Sequence, residues 1–169
     1  MASFEPMADE SPTPAVRLRP MRADEFPAFL EASKRGYAEG IETQGGQTAE
    51  FARKKSEEDH ASILPNGLET PGHSIFLVEV GGERVGVLWL AERESGGRRI
   101  CWIYDVEIDE GQRGHGYGRA AMLLAEEEAR RRCLSRIELN VFGGNNVARG
   151  LYRSLGYVET SAQMAKDLG

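Results

Sequence analysis

The stretch Gln112-Arg113-Gly114-His115-Gly116-Tyr117-Gly118-Arg119 carries three glycines at alternate positions. It joins a β-like run, residues 101–108, to a helix-like run, residues 117–132. Glycine permits positive φ and close approach of a ligand to the backbone, so successive N–H groups can converge on an anion at the positive end of the following helix. Two arginines in the stretch add positive charge. The pattern predicts a phosphate-binding loop, and a plain strand-to-helix turn is the alternative.

Two familiar phosphate motifs are excluded by their spacing. A dinucleotide fingerprint that begins at Gly114 requires glycine at position 119, where the chain has Arg119. The nucleotide-binding pattern G-x-x-x-x-G-K-[ST] occurs nowhere in the chain. Hydride transfer and hydrolysis of nucleoside triphosphates therefore lose their main support.

Residues 145–157 form a second informative segment. Its apolar side chains recur at the spacing i, i+3, i+4 and i+7, which marks one face of an amphipathic helix: Ala148, Leu151, Tyr152 and Leu155. Asn145 or Asn146 can cap the start of this helix, and Gly156 suits the left-handed residue after its end. The segment predicts a short helix that buries one phenol, that of Tyr152, for which an ordinary core position is the alternative.

The two segments, about thirty residues apart and in this order, resemble the GNAT superfamily of acyl-CoA-dependent N-acetyltransferases. Residues 113–118 match the [RQ]-x-x-G-x-[GA] pyrophosphate loop of that family, and residues 145–157 match its N-x-x-A-x-x-L-Y-x-x-x-G-[FY] segment. The resemblance is sharpest from about Ile103 to Val158. By the order of elements alone it extends from about Val16 to Leu168.

The resemblance implies that acetyl-CoA is the co-substrate and that backbone amides of the glycine loop hold its pyrophosphate. It also implies that two strand residues lie beside the pantetheine arm and that one asparagine contacts the cofactor. The cofactor-binding residues expected on this basis are Val106, Ile108, Arg113, Gly114, His115, Gly116, Tyr117, Gly118, Arg119 and Asn145. Tyr152 is expected to protonate the departing thiolate, because a phenol with a pKa near 10 stays protonated at pH 7 and a thiol with a pKa of about 8.5 benefits from a donor.

The acceptor amine must lose a proton before or during attack. An unshifted lysine amine, with a pKa of about 10.4, requires roughly 4 to 5 kcal/mol for deprotonation at pH 7, and an α-amine near 7.8 requires about 1. Strand alternation predicts Asp105, Glu107 and Asp109 on one face and Trp102, Tyr104, Val106 and Ile108 on the other.

Glu107 is the central carboxylate of that face and our candidate general base, directly or through one water. The alternative is that all three carboxylates are solvated. Tyr104 is a weaker site candidate, and a β-bulge in the strand could re-aim either residue.

These residues predict an N-acetyltransferase that moves an acetyl group from acetyl-CoA to a primary amine by direct attack in a ternary complex. The acceptor is left open between a protein N-terminal or lysine amine and the amine of a small molecule. The competing hypothesis is a non-catalytic module that binds an acyl-CoA or another phosphorylated ligand.

Composition agrees with one globular domain. The chain has 169 residues, 40% of them hydrophobic and 28% charged, and its net charge of −6 argues against nonspecific binding to nucleic acid. Three histidines, His60, His73 and His115, lack metal-ligand spacing, so we expect no metal. No apolar run approaches the ~20 residues of a membrane span, and the first residues lack a signal-peptide pattern, so a cytoplasmic location is expected.

The expected architecture is a single-domain mixed α/β (α+β) fold with a mostly antiparallel sheet of about six strands flanked by about four helices. Residues 1–15 are expected to form a mobile tail and residues 16–168 the N-acetyltransferase domain. Within that domain the patterns predict the element order βααβββαβαβ, with the first helix over residues 24–37 and a strand over residues 136–142. A last strand is predicted from Tyr157 towards Lys166, where family members commonly have two, so a second protomer in a homodimer or the tail could complete the acceptor side. By resemblance, residues 36–46 would line the acceptor pocket.

Overall fold

The protein is built around one five-stranded sheet. Our computed structural model describes residues 15–166 and 168. The strands follow the chain order across the sheet: β1 (Val16–Pro20), β2 (His73–Val80), β3 (Glu83–Ser95), β4 (Arg98–Ile108) and β5 (Ile137–Leu139). Neighbours are antiparallel except β4 and β5, which are parallel. The predicted mixed, mostly antiparallel α/β fold is confirmed.

Four α-helices cover the two faces of the sheet. They are α1 (Phe26–Thr43), α2 (Ala49–Ile63), α3 (Tyr117–Arg131) and α4 (Asn146–Ser154). The Thr48 hydroxyl caps α2 by accepting from the Phe51 N–H, and the Asn145 side chain caps α4 by accepting from the Ala148 N–H. No helix among the described residues combines the length and the apolar character needed to cross a membrane.

Each face of the sheet has its own hydrophobic core. Under α1 and α2, Phe29 and Leu64 pack with strand residues such as Trp89, whose ring meets that of Phe29 edge-on at 6.0 Å between centroids. Under α3, small side chains such as Ala121 and Ala125 are fully buried and allow the helix to lie close to the sheet. The strand residues therefore divide between two helical layers according to the face on which they lie.

A buried carboxylate ties β1 to β2. Glu79 is 4% exposed, yet both of its oxygens are paired, one with Arg17 at 2.7 Å and the other with Arg19 at 2.6 Å. Arg19 also reaches Glu25, just before α1, at 2.7 Å. These arginines hold the pKa of Glu79 below its usual range. The charge of this carboxylate is therefore part of the packing.

Several elements differ in extent from the sequence prediction. The helix expected over 24–37 continues to Thr43, and its Gly40 lies so close to the ring of Phe142 that a Cβ at that position would collide with it. The strand expected over 136–142 is limited to Ile137–Leu139. The predicted last strand does not form, since residues 157–166 are almost all exposed and pair with no strand in the described part of the chain. The predicted mobile tail lies almost wholly outside the described residues.

Candidate active site

The glycine-rich stretch leads from β4 into α3. A short 3-10 turn, Glu110–Gln112, follows the strand, and Gly114 and Gly116 then adopt φ angles of +82° and +79°. A Cβ at either position would meet no neighbouring atom within 4 Å, so it is the left-handed backbone and not crowding that demands glycine. Gly116 is the N-cap of α3.

The N-terminus of α3 is open to a ligand. No side chain caps it and no acidic residue lies in its first turn, so the first N–H groups of the helix point outward at the positive end of its dipole. The guanidinium of Arg113 is anchored by the Ile108 carbonyl at 2.9 Å, and that of Arg119 donates to the Ser154 hydroxyl at 2.9 Å. The stretch thus has the local structure of an anion-binding site.

β4 and β5 separate beside this loop, and we call the gap between them the split. β4 and β5 pair only through Cys101 with Ile137, Trp102 with Glu138 and Ile103 with Leu139. β4 continues to Ile108 with no strand on that edge among the described residues. Val106 packs on the core under α3, and Ile108 lies beneath Gly118 in the first turn of that helix. The free edge of β4 therefore runs from the middle of the sheet to the glycine loop.

Tyr152 belongs to α4, the helix that follows β5. Its helix, α4, packs through Leu151, Tyr152 and Leu155 against the core under α3, and the absence of a side chain at Gly118 lets Leu151 approach. Burial raises the pKa of the Tyr152 phenol above its usual value, and the charge of Asp105 raises it further. The phenol is therefore protonated near neutral pH and within electrostatic reach of Asp105.

A β-bulge decides which way the β4 side chains point. Trp89 pairs with Asp105 and Leu90 with Ile103, so Tyr104 is the extra residue. Tyr104 stacks on Trp89 with 4.6 Å between ring centroids, and Asp105 accepts a hydrogen bond from Ser33 of α1 at 3.2 Å. Both side chains therefore face α1 and α2, and the alternation that placed Tyr104 opposite Asp105 is wrong at this point.

Asp105 is the most perturbed carboxyl group near the split. Burial raises its pKa to about 6, and the negative charge of Glu107 adds to the rise, whereas hydrogen bonds from Ser33 and from the Val106 N–H oppose it. A carboxyl group with such a pKa can accept a proton near neutral pH.

Glu107 lies two residues further along β4, towards the glycine loop. Its side chain is 54% exposed, and its carboxylate is 3.8 Å from the guanidinium of Arg113. Glu107 is therefore an exposed carboxylate near the glycine loop, whereas Asp105 is turned towards α1. A role for Glu107 as general base stays a prediction.

The match with a family model identifies the chain. The model of the acetyltransferase (GNAT) family covers residues 31–157, most of the described structure. The chain belongs to the GNAT family. Relatives of this family that resemble the chain are acetyltransferases, and we conclude that it is an acyltransferase.

The GNAT protein is similar to the uncharacterized N-acetyltransferase YycN of Bacillus subtilis (strain 168). The two are 32% identical over 154 residues, which cover 90% of this chain and 99% of YycN. The crystal structure of YycN agrees with this fold at a TM-score of 0.86 over 91% of this chain and 99% of that one.

Two further similarities differ in reach. The mycothiol acetyltransferase of Thermobispora bispora is 33% identical over 162 residues, and this chain covers 51% of that longer protein. A predicted acetyltransferase from Clostridium acetobutylicum, whose crystal structure is with acetyl-CoA, shares the fold with a TM-score of 0.63 at 15% identity over 90% of this chain.

The GNAT chain brings most of the sequence-predicted site residues to one edge of the sheet. The residues 113–119 surround the start of α3, Val106 and Ile108 lead to it, and Tyr152 lies within electrostatic reach of Asp105. The Asn145 side chain oxygen is used as the cap of α4. The sequence analysis named Asp105 only as a neighbour of Glu107 and did not name Ser33. No local pattern in the sequence shows that Ser33 of α1 lies against Asp105 of β4.

The described residues contain no group of three His, Cys, Asp or Glu side chains arranged to hold a metal ion.

Proposed function

We propose that this GNAT chain transfers an acetyl group from acetyl-CoA to a primary amine by direct attack in a ternary complex. The observation that carries the proposal is the pair of ionisable groups at the split, Tyr152 and Asp105. The pKa of the phenol is raised above its usual value near 10, and that of the carboxyl is raised to about 6. An acid that stays protonated beside a base that titrates near pH 7 suits acyl transfer to an amine.

The glycine loop supports acetyl-CoA as the co-substrate. Its left-handed glycines, the uncapped first turn of α3 and the exposed guanidinium groups of Arg113 and Arg119 fit a pyrophosphate. Along the free edge of β4, backbone groups beyond Ile103 can bind an extended amide-containing arm. Contact of Asn145 with the cofactor remains a prediction.

The residues at the split suggest the course of the proton transfers. The carboxylate of Asp105 accepts a proton from the amine, directly or through one water, and the amine nitrogen forms a bond to the thioester carbonyl carbon. The carbon–sulfur bond breaks, and Tyr152 gives its phenolic proton to the thiolate. The negative charge of Glu107 keeps the pKa of Asp105 high, so Glu107 contributes to this step even if it does not itself take the proton.

The acceptor is a primary amine of a small molecule or a peptide. Asp105 and Glu107 place negative charge at the split, which favours a cationic amine. The segment 36–46, predicted to line the acceptor pocket, forms the last part of α1 and its exit, and Gly40 within it contacts Phe142 beyond β5. This contact brings α1 close to the segment that follows β5, and we propose that the acceptor binds beside these two segments.

The acceptor side could also involve a second copy of the chain. Residues 157–166 form no strand in the described structure, so β5 keeps an unpaired edge there. We retain the prediction that a second protomer or the N-terminal tail completes this side. Full activity of a monomeric particle after deletion of the tail would reject it.

The first experiment is thermal unfolding with and without acetyl-CoA. At about 100 times its dissociation constant the ligand should stabilise the protein by about 2.7 kcal/mol, a shift of roughly 5 to 10 °C. Gly116→Asp should abolish the shift, because a carboxylate would occupy the anion site.

The matched control for this experiment is Gly97→Asp. It carries the same substitution at a φ of +76°, in the turn between β3 and β4, with no neighbouring atom within 4 Å of a Cβ, and should keep the shift. A shift without turnover on any amine would favour the non-catalytic binding module, and no shift in the unmodified protein would reject the proposal.

The second experiment tests the acid. Tyr152→Phe should lower kcat by about 100-fold and leave the affinity for acetyl-CoA unchanged. Tyr157→Phe is the control, since Tyr157 lies 5.9 Å from Tyr152 between ring centroids and its buried hydroxyl has no hydrogen-bond partner among the described residues. Equal kcat in the Tyr152 variant and the unmodified enzyme, with chemistry rate-limiting, would remove Tyr152 from the mechanism.

A further inference from the structure

A line of hydrogen-bonding groups continues from Asp105 into the helical layer. The Ser33 hydroxyl of α1 lies 3.2 Å from Oδ2 of Asp105 and 3.1 Å from Nε2 of His60 on α2. His60 is 5% exposed and its ring packs on Trp89. Ser33 therefore connects the carboxyl group of Asp105 with the buried imidazole of His60.

The backbone fixes the tautomer of His60. Its Nδ1 lies 2.8 Å from the carbonyl oxygen of Ser56, which can only accept, so Nδ1 carries a hydrogen. Burial lowers the pKa of His60, which keeps the imidazole neutral near pH 7. Nε2 of the neutral ring therefore presents a lone pair to Ser33.

The Ser33 hydroxyl has one hydrogen and two acceptors to serve. When Asp105 is ionised and His60 is neutral, only one of the two contacts can hold a hydrogen. One added proton completes both contacts. The hydrogen bonds then point either from Asp105 through Ser33 to His60 or in the opposite direction. The line therefore binds one proton that is shared between its two ends.

We propose that Asp105, Ser33 and His60 form a proton relay behind the acceptor site. The proton that Asp105 accepts from the amine passes to the Ser33 oxygen as the Ser33 hydrogen passes to Nε2 of His60. The carboxylate is restored, the imidazole becomes an imidazolium, and no proton is gained or lost. The source of the proton rests on the proposed function, whereas the coupling of the three groups does not.

Other charged or titratable groups bear on the two ends of the relay. Around His60 and Asp105 they come from α1, α2, β4 and α4: Lys34, Tyr37, Asp59, Glu107 and Tyr152. Lys34 disfavours and Asp59 favours the imidazolium, while Glu107 favours the protonated carboxyl. Since these charges act in opposite directions, the hydrogen bonds through Ser33 are the specific link between the titration of His60 and that of Asp105.

The coupling can be measured without any substrate. NMR signals of the His60 ring should follow pH in two steps, one of them at the pH where Asp105 titrates. Asp105→Asn should remove that step, Ser33→Ala should remove or greatly reduce it, and Ser33→Thr, which keeps a hydroxyl, should retain it. A His60 titration curve that is identical in the unmodified protein and in Asp105→Asn would overturn the relay, even if the Ser33 variants fail to fold.

Kinetics then tests the use of the relay. Ser33→Ala and His60→Gln should each lower kcat about tenfold or more with an unchanged KM for acetyl-CoA, and Ser33→Thr should recover most of the loss. The double variant should lose no more than either single one, because both interrupt one path. The control is Ser74→Ala, which removes a hydroxyl that bonds Arg132, away from the split.

The two proposals fail in different ways. Unmodified kcat in Ser33→Ala, or additive losses in the double variant, would overturn the relay and leave the acetyltransferase proposal intact. Coupled titration in a protein that acetylates no amine would reject the amine as the source of the proton and, with it, the proposed function.

Discussion

Glu79 on β2 and Asp105 on β4 are carboxylates of the same sheet with opposite surroundings. Glu79 has an arginine on each oxygen, and its pKa is held below the usual range. Asp105 has the hydroxyl of Ser33 and the like charge of Glu107, and its pKa is raised to about 6. The contrast shows how a buried acid is built either to remain charged or to exchange a proton.

The same contrast separates a structural carboxylate, Glu79, from one suited to proton exchange, Asp105. Around Glu79 the ionised state is fully paired, so the charge fastens β1 and β2 to the start of α1 through Arg19 and Glu25. Around Asp105 the ionised state is under-compensated, which favours proton uptake. Replacement of Asp105 should therefore lower activity and raise stability at high pH, whereas replacement of Glu79 should lower stability there.

The largest effect is expected from Asp105→Asn. If Asp105 is the general base, removal of its proton-accepting oxygen should lower kcat by about 100- to 10,000-fold at pH 7. Asp109→Asn, at the end of the same strand and paired with Arg84 at 3.2 Å, is the matched control and should retain turnover. Steady-state rates with a panel of amines provide the measurement, and comparable rates in both variants would assign the base elsewhere.

The next effect is a reversal in stability. The raised pKa of Asp105 means that the folded state loses stability as pH rises from about 4 to 6, by about 3 kcal/mol in total, and the loss persists above pH 6. Asn does not ionise, so Asp105→Asn should be more stable than the unmodified protein at pH 8 by up to that amount and should show no such gain at pH 4. Urea unfolding at the two pH values measures the difference.

Glu79→Gln should show the opposite dependence. The lowered pKa of Glu79 stabilises the folded state above the usual glutamate value of about 4.3, and this stabilisation fades as pH falls. The variant should therefore unfold at lower urea concentration at pH 8, with a deficit that shrinks at acidic pH. The same sign of change in both variants at pH 8 would contradict the comparison.

The smallest effect is expected from Glu107→Gln. Its charge raises the pKa of Asp105, so its removal should move the acid limb of kcat/KM to lower pH by a fraction of a unit and leave the plateau nearly unchanged. Loss of the plateau by 100-fold or more would instead make Glu107 the base, as the sequence predicts. The pH–rate profile thus separates the two carboxylates.

Local sequence signals were sufficient for the loop and the helices of the site. Gly114 and Gly116 adopt the left-handed angles that glycine permits, and Asn145, one of the two candidates named from the sequence, caps α4. The order of the elements through α4 was predicted in the same way. These features are set within a few residues of one another.

The remainder depends on contacts between distant parts of the chain. The bulge at Tyr104 is set by the pairing of β4 with β3, and one extra residue moves a side chain to the other face. Ser33 and His60 meet Asp105 only because α1 and α2 pack on that face. Gly40 of α1 likewise meets Phe142, about a hundred residues away. No local pattern encodes these partnerships.

The three-residue ladder between β4 and β5 separates the extensively paired strands of the sheet from a strand with few paired residues. β2, β3 and β4 are joined along most of their lengths, while β5 is joined to β4 through three residue pairs, and α4, which follows it, packs on the core through partly buried side chains. Segments with few protected backbone bonds and little buried surface open at the lowest free energy. β5 is therefore expected to open more readily than β2, β3 and β4, and a cofactor bound beside it, as proposed, would oppose that opening.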